Sequence, residues 1–258
     1  WLRLWARLEL RKFAPDIIGI TGSAGKTSCR DAMVAVLKDK YRLKVTGKAN
    51  SESGIPMDIL GISPKDFSIT DWLRISLLAP LKWASNWKAY DKYVVEMGID
   101  SPLPPKNMAY LLTIGRPRTA IFLNASLVHS QNFDFTGGQV IGKIAAEKGK
   151  LIESLPQNGL AILNADQAEV INLSKKTKAQ VMTFGVSKTA DIRIGKIERT
   201  SFEFWDGPES AKVKVDYLLP DYYGQTLAAA LCVSADEGNT LADGCDRLAR
   251  NFPLHLRI

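Results

Sequence analysis

Residues 17–28 read IIGITGSAGKTS, an apolar run followed by a turn with Gly22 and Gly25 and then Lys26, Thr27 and Ser28. Residue types at this spacing can hold a phosphate chain. Glycines let the main chain come close to phosphate oxygens. The amides at a helix start aim N–H groups at an anion, which the helix dipole also favours. Lys26 can reach the terminal phosphates, and the Thr27 hydroxyl can ligate Mg²⁺. The loop from Gly22 through Ser23, Ala24 and Gly25 to Ser28 is therefore the candidate nucleotide cradle. The general phosphate-loop pattern has a further glycine where this chain carries Ile20. Here Gly19, Gly22 and Gly25 recur every three residues instead.

Other residues with chemical potential lie at the ends of apolar runs. Glu96 sits in VVEMG, residues 94–98. A carboxylate at the carboxyl end of a buried parallel strand can hold Mg²⁺, which prefers oxygen ligands, or can pair with a lysine. A charge in so apolar a run requires a partner of one kind or the other. His129, one of two histidines, follows AIFLNA and reads either as a ligand or as a satisfied structural residue. Residues 143–155 form an amphipathic, lysine-rich stretch that contains Lys148. Asn164 and Asp166, in GLAILNADQ, can line the nucleotide side of a pocket or cap the next helix. Asn50 and Glu52, in KANSESGIPMDIL, lie in a turn entering a helix with Pro56 in its first turn.

The elements that must position these residues alternate. DIIGI, RLKVT, KYVVEMGI, TAIFLNA and GLAILNA read as strands, with helical patterns between them, including residues 104–113 and 139–155. That order predicts an α/β fold, a mostly parallel sheet flanked by helices. Residues 180–219 hold short strands without intervening helices, a small antiparallel addition, and helices over 224–236 and 240–250 follow. Residues 1–13 predict a basic helix with an apolar stripe through Trp1, Leu4, Trp5 and Leu8, ended by Pro15. There is no internal repeat or low-complexity tract.

Composition agrees with a globular chain: 258 residues, 46% hydrophobic and 24% charged, which excludes disorder. The net charge of +7 suits an anionic ligand, a nucleic acid or an acidic membrane face and does not choose among them; on the motifs below, no nucleic-acid partner is expected. Cys29, Cys232 and Cys245 are too few and too far apart for a zinc knot or a disulfide framework, which fits a reducing, cytoplasmic compartment. No apolar run approaches the roughly 20 residues of a spanning helix. The start at Trp1 rather than methionine implies sequence upstream of it. Five of the six tryptophans lie in residues 1–13 and in DFSITDWLRISLLAPLKWASNWKAYD, interleaved with basic residues. Such helices can lie in a membrane interface, or pack on the protein or on neighbouring domains.

The loop GITGSAGKTS resembles the GITGTNGKTT loop of the Mur ligases, which join amino acids to the peptidoglycan precursor using ATP. Further segments are similar, in order, along nearly the whole chain. NSESGIP resembles the N-N-E-x-G-x-P of the family branch that adds D-alanyl-D-alanine, with Asn50, Glu52, Gly54 and Pro56 matching while Ser51 and Lys48 depart. VVEMG resembles the family's metal-binding strand end. Asn124 and His129 resemble its N-x-x-x-x-H, AEKG its carbamylated-lysine segment, and GLAILNADQ its G-x-x-v-l-N-x-D-d. FPLHLRI is similar to the pGR hinge, with Leu256 for glycine and Arg257 as the arginine. In place of G-x-H-N-x-x-N stands LPDYYGQTLAAALCV, where Tyr222 or Gln225 would have to meet adenine.

The resemblance implies a P-loop NTPase-like domain over 15–258, behind a basic amphipathic helix at 1–14. It implies an ATP-dependent amide ligase that makes an acyl phosphate on a muramoyl-peptide carboxylate and couples it to D-alanyl-D-alanine. ATP and two Mg²⁺ are the implied cofactors. The loop with Asn164 and Arg257 would hold the nucleotide, and Thr27 and Glu96 one Mg²⁺. His129 and a carbamylated Lys148 would hold the other, and Asn50 and Glu52 would meet substrate. Carbamylation needs a neutral amine, hence burial or nearby positive charge. Lys26, Lys148 and His129 would be the catalytic side chains. The implied partners are a nucleotide-linked muramoyl peptide, an amino acid or dipeptide, a peripheral membrane contact at the inner face, and flanking uridine-nucleotide and C-terminal ligase domains not represented here. Without those domains the piece is not expected to act alone, since such sites assemble by closure. The alternatives are a nucleotide-binding regulatory module, a membrane-surface module, and a folylpolyglutamate- or cyanophycin-type ligase.

Overall fold

In the computed structural model, which describes residues 1–47, 49–99, 101–127 and 140–252, the strands join in one sheet. They are β1 (Asp16–Thr21), β2 (Leu43–Val45), β3 (Lys92–Glu96), β4 (Thr119–Phe122), β5 (Leu160–Asn164), β6 (Gln180–Gly185), β7 (Ile192–Glu198), β8 (Ser201–Asp206) and β9 (Glu209–Lys214). The order is β2-β3-β1-β4-β5-β6-β7-β8-β9. The helices are α1 (Leu2–Phe13), α2 (Lys26–Leu37), α3 (Gly54–Leu60), α4 (Ile69–Ser85), α5 (Met108–Leu112), α6 (Val140–Glu153), α7 (Ala168–Ile171), α8 (Tyr223–Asp236) and α9 (Leu241–Asn251).

The central strands are continuous apolar runs because helices cover both faces. One core layer joins β1, β4 and β5 to α2, α8 and α9 through residues such as Ile20, Met33, Leu227 and Leu248. The other packs α1, α3, α5 and α6 beneath Tyr93, Phe122 and Leu163. β1 runs between β3 and β4, parallel to both, with Ile20 level with Glu96 and Thr21 level with Phe122. The loop that follows β1 therefore emerges between Glu96 on one side and the residues after Phe122 on the other.

Three details differ from the sequence reading. The strand at 180–185 is parallel to β5, so the parallel part runs on to β7 and only the β7–β8 and β8–β9 pairings are antiparallel. A parallel partner normally needs a long crossover. Here β7 overlaps only the last residues of β6, Phe184 with Ile192 and Gly185 with Arg193, and the chain steps sideways rather than returning. The helix read over 104–113 shortens to Met108–Leu112, because Asn107 caps it by accepting from the Tyr110 amide at 3.0 Å. The buried face of α1 is Ala6, Glu9 and Leu10, whereas Trp1 and Leu4 of the expected stripe are exposed.

α1 and α4 clasp each other through a small separate core of Met57, Leu60, Ile62, Ile75 and Ala79, joined by Trp5 and Trp83. Pro80 lies inside α4 and has no N–H to give the Ser76 carbonyl. The indole of Trp1 donates to that carbonyl instead, at 2.9 Å.

Candidate functional site

The glycine loop is fixed from beneath by the residues that follow β4. Gly22 (φ +155°) leaves β1 in a conformation that side chains disfavour, and a Cβ there would sit 3.1 Å from the Leu123 Cβ. Gly25 (φ +81°, ψ 0°) is the left-handed N-cap of α2, with no side chain capping it. The first-turn amides of α2 are thus aimed at whatever lies over the loop. Asn124, just beyond β4, clasps the turn: its Oδ1 accepts from the Ser23 and Ala24 amides at 3.1 and 2.9 Å, and its Nδ2 donates to the Ala24 carbonyl at 3.1 Å. Ser23 Oγ and the Ser126 backbone complete the attachment, donating each way at 3.1 and 2.9 Å. Two ammonium groups converge on one acceptor. Lys26 from α2 and buried Lys148 from α6 each donate to the Gly22 carbonyl at 2.9 Å.

An acidic counterpart stands beside this cationic pair. Glu96, 6% exposed at the end of β3, accepts from Thr27 Oγ1 at 3.2 Å and from Arg30 Nη1 at 3.0 Å. Burial raises its pKa, and Arg30, Thr27 and Lys26 pull the other way without cancelling it. The guanidinium of Arg30 is held further by Asp31 Oδ1 and by the carbonyls of Thr46 and Gly47, at 2.7, 3.0 and 2.8 Å. A hydroxyl and a carboxylate oxygen thus meet at the mouth of the loop, a hard-oxygen pair of the kind Mg²⁺ accepts while keeping waters and phosphates as its other ligands. Among the described residues no three His, Cys, Asp or Glu side chains gather as a metal cluster.

The remaining sequence candidates divide. His129, Arg257 and Lys48 lie outside the described residues. Asn50 is exposed, and its backbone oxygen accepts from the Gly98 amide at 3.2 Å, just past Glu96. A Cβ on Gly98 would stand 3.1 Å from Asn50 Nδ2, so the bare backbone there is what lets this segment approach. Glu52 follows, half-buried, before α3. Ser28 is half-buried in the first turn of α2. Asn164, read as lining the nucleotide side of a pocket or capping the next helix, braces neighbouring strand ends. It is fully buried, donates to the Leu123 carbonyl at 2.8 Å and accepts from the Asp166 amide at 2.9 Å. Asp166 in turn accepts from the Val186 and Ser187 amides at 2.9 Å each, and the α7 N-cap is Gln167. This pair braces strand ends, and neither side chain caps the following helix.

Sequence reading missed Arg30 and understated Asn124. Arg30 stands four residues after Lys26 and so on the same helical face, a spacing that could have flagged it. The clasp by Asn124 depends on β4 lying next to β1, which no local pattern encodes. α8 also reaches the loop, since Thr226 Cγ2 is 3.4 Å from where a Gly25 Cβ would be. At the head of α8, Tyr222 is 61% exposed and stacked on Tyr223, with ring centroids 4.7 Å apart.

Comparisons with known proteins converge. A family model described as the Mur ligase middle domain matches residues 20–220. The UDP-N-acetylmuramoyl-tripeptide–D-alanyl-D-alanine ligase of Escherichia coli is 26% identical over 237 residues, which cover 91% of this chain and 45% of that protein. The protein of the same name from Mycobacterium bovis is 30% identical over 182 residues, 70% of this chain and 29% of its own. Among solved structures, the MurF ligase of Thermotoga maritima in complex with ADP aligns at a TM-score of 0.72 and 25% identity, covering 96% of this chain and 51% of the other. MurF from Acinetobacter baumannii aligns at 0.75 with 21% identity, covering 97% and 49%, a likeness of fold. The chain spans less than half the length of these curated relatives.

Proposed function

Because the chain belongs to the Mur ligase family and carries its middle domain, we propose that it is the ATP-binding part of a ligase that adds D-alanyl-D-alanine to a nucleotide-linked muramoyl tripeptide. The observation that carries the reading is the meeting of Thr27 and Glu96 at 3.2 Å beside a loop flanked by Lys26 and Lys148. The names of the curated relatives supply the substrates, and the ADP-bound neighbour supports the nucleotide.

In this reading the loop amides and Lys26 hold the β- and γ-phosphates of ATP. Oxygen of the muramoyl-peptide carboxylate attacks the γ-phosphorus, the bond to the ADP oxygen breaks, and an acyl phosphate forms. The amine of D-alanyl-D-alanine then attacks the acyl carbon, phosphate leaves, and the nitrogen loses a proton. The protein's contribution is positioning and neutralisation of charge. Thr27 and Glu96 fit one Mg²⁺, which when bound offsets phosphate charge. A second, with His129 and a carbamylated Lys148 as its holders, is part of the same reading, and so are Arg257 at the nucleotide and Asn50 and Glu52 at the acceptor. Support for Lys148 is its burial, the setting that carbamylation needs. Asn164 acts as a positioning residue, through Leu123. Tyr222, exposed at the head of α8 beside the loop, offers an aromatic face to adenine in place of the family's usual segment.

The test is phosphate release by the full-length protein supplied with ATP, Mg²⁺, UDP-muramoyl tripeptide and D-alanyl-D-alanine. Release should require both acceptor and dipeptide and vanish in Lys26→Ala. Release indifferent to the acceptor would remove the ligase reading.

A further inference from the structure

Away from the nucleotide site, α4 turns an apolar ridge to solvent. Ile69, Leu73, Leu77 and Leu81, spaced by four, are 82%, 62%, 71% and 63% exposed, while Ile75 and Ala79 on the other side fill the small core with α1. A spacing of four keeps these aliphatic side chains on one face. Trp1, fastened to the Ser76 carbonyl, widens the ridge, and Trp87, also exposed, stands at its end with Lys12 Nζ 4.0 Å from its ring centroid.

Charge says what covers it. Residues 1–13 and 65–88 hold eight basic and three acidic side chains, a net +5 out of the chain's +7. Two of the three acids do not face outward: Glu9 is buried, and Asp71 is buried against Arg74 and the amides of residues 65–67. Exposed lysines bracket the ridge, Lys65 before it and Lys82 and Lys88 at its far end. An apolar stripe with tryptophan at its margins and cations at its ends has the chemistry of a helix lying in a bilayer interface. No described helix is long and apolar enough to cross one.

We propose that the α4 ridge docks on an anionic lipid surface, its leucines entering the headgroup–acyl boundary and its lysines meeting lipid phosphates. The contact is peripheral and reversible, because it rests on one helix face and on charges that salt screens. It does not depend on the ligase reading, since nucleotide binding and vesicle binding are measured separately.

The experiment is flotation of the full-length protein with phosphatidylcholine vesicles, with and without phosphatidylglycerol. Binding should need the anionic lipid and weaken in high salt. It should fall about tenfold or more in Leu73→Glu/Leu77→Glu, which removes two leucines from the interface, and also in Lys82→Glu/Lys88→Glu. Both variants alter only exposed side chains, and unchanged ATP affinity certifies their folding. Should the leucine pair disturb the fold, quenching of the wild-type tryptophans by brominated lipid gives an independent answer. No binding to anionic vesicles, equal binding by the variants, or lipid-free protection of α4 from hydrogen exchange by a flanking domain or a second copy would each overturn the proposal.

Discussion

Replacing Glu96 by Gln separates what the site does for folding from what it does for ligand. The carboxylate accepts from Arg30 at 3.0 Å and from Thr27 at 3.2 Å. Charge-assisted bonds of that kind contribute about 1.5–3 kcal/mol. Against this stands the cost of holding a carboxylate at 6% exposure, which is the dominant influence on its pKa. The opposing contributions are of similar size, and Gln keeps one acceptor oxygen, so stability should change by about 1 kcal/mol or less. Arg30 is not stranded, because Asp31 and the Thr46 and Gly47 carbonyls still hold it. Nucleotide binding should respond very differently. A unit charge pair about 4 Å apart at an effective dielectric near 20 is worth about 4 kcal/mol. If recovered hydration returns half, about 2 kcal/mol remains, or about thirtyfold in Kd. Titration calorimetry with ATP, in Mg²⁺ and again in EDTA, reads the loss, and urea unfolding reads the stability. A Glu96→Gln variant with full Mg²⁺-dependent affinity, or one several kcal/mol less stable, would refute the reasoning.

Two further outcomes follow from the geometry. Gly25→Ala should cost about 1–2 kcal/mol, the penalty of a left-handed backbone, because the added Cβ meets nothing nearer than Thr226 Cγ2 at 3.4 Å. Gly22→Ala should cost more, with Leu123 Cβ at 3.1 Å, and the opposite ranking in denaturant unfolding would contradict the packing described. Glu237→Gln should destabilise by about 2–3 kcal/mol and lower Tm by about 5–10 °C. It breaks a 2.6 Å pair with buried Lys92, which among the described residues keeps Asp16 at 3.5 Å and the Tyr41 ring, 4.5 Å to its centroid. Burial pushes the Glu237 pKa up, but hydrogen bonds from Lys92 and Tyr41 outweigh it and the net shift is downward. The stability this carboxylate adds is therefore present above its unfolded pKa of about 4.3 and lost as pH falls through its lower folded value. Calorimetry across the acid range should show that slope in the native protein and its loss in the variant.

Much of this was legible where chemistry is local. The glycine turn, Lys26, Thr27 and the strand-end Glu96 lie within single segments, and a parallel sheet had to bring strand ends together. What escaped the sequence depends on neighbours distant in the chain. Asn164 reads as a polar residue at a strand end, which is true of a ligand contact and of a brace alike. The brace shows only in its partners, the Leu123 carbonyl and the Asp166 amide, which lie in other segments or past the strand end. The stripe through Trp1 and Leu4 is compatible in sequence with a membrane interface and with packing alike. α1 buries Ala6 and Leu10 in the core beneath the sheet and lays Leu2 and Trp5 on the small cluster with α4, a division between two surfaces for which periodicity in α1 carries no signal. The direction of β6 was hidden for a different reason: alternation reveals a strand, and nothing in it reveals which way the neighbour runs.

The bonds around the loop show how a site for phosphate can be fixed by the protein's own groups. Lys26 and Lys148 share the Gly22 carbonyl, and Arg30 takes the Thr46 and Gly47 carbonyls besides Asp31 and Glu96. These bonds fix Lys26 and Arg30 beside the amides that a phosphate would meet. A polar site fixed in this way needs little reorganisation to receive an anion, which is what makes it bind charge better than water does. The Asn124 clasp serves the same end from the other side. By fixing Ser23 and Ala24 to β4 it confines the ordering cost of the loop to folding, so that binding does not have to bear it.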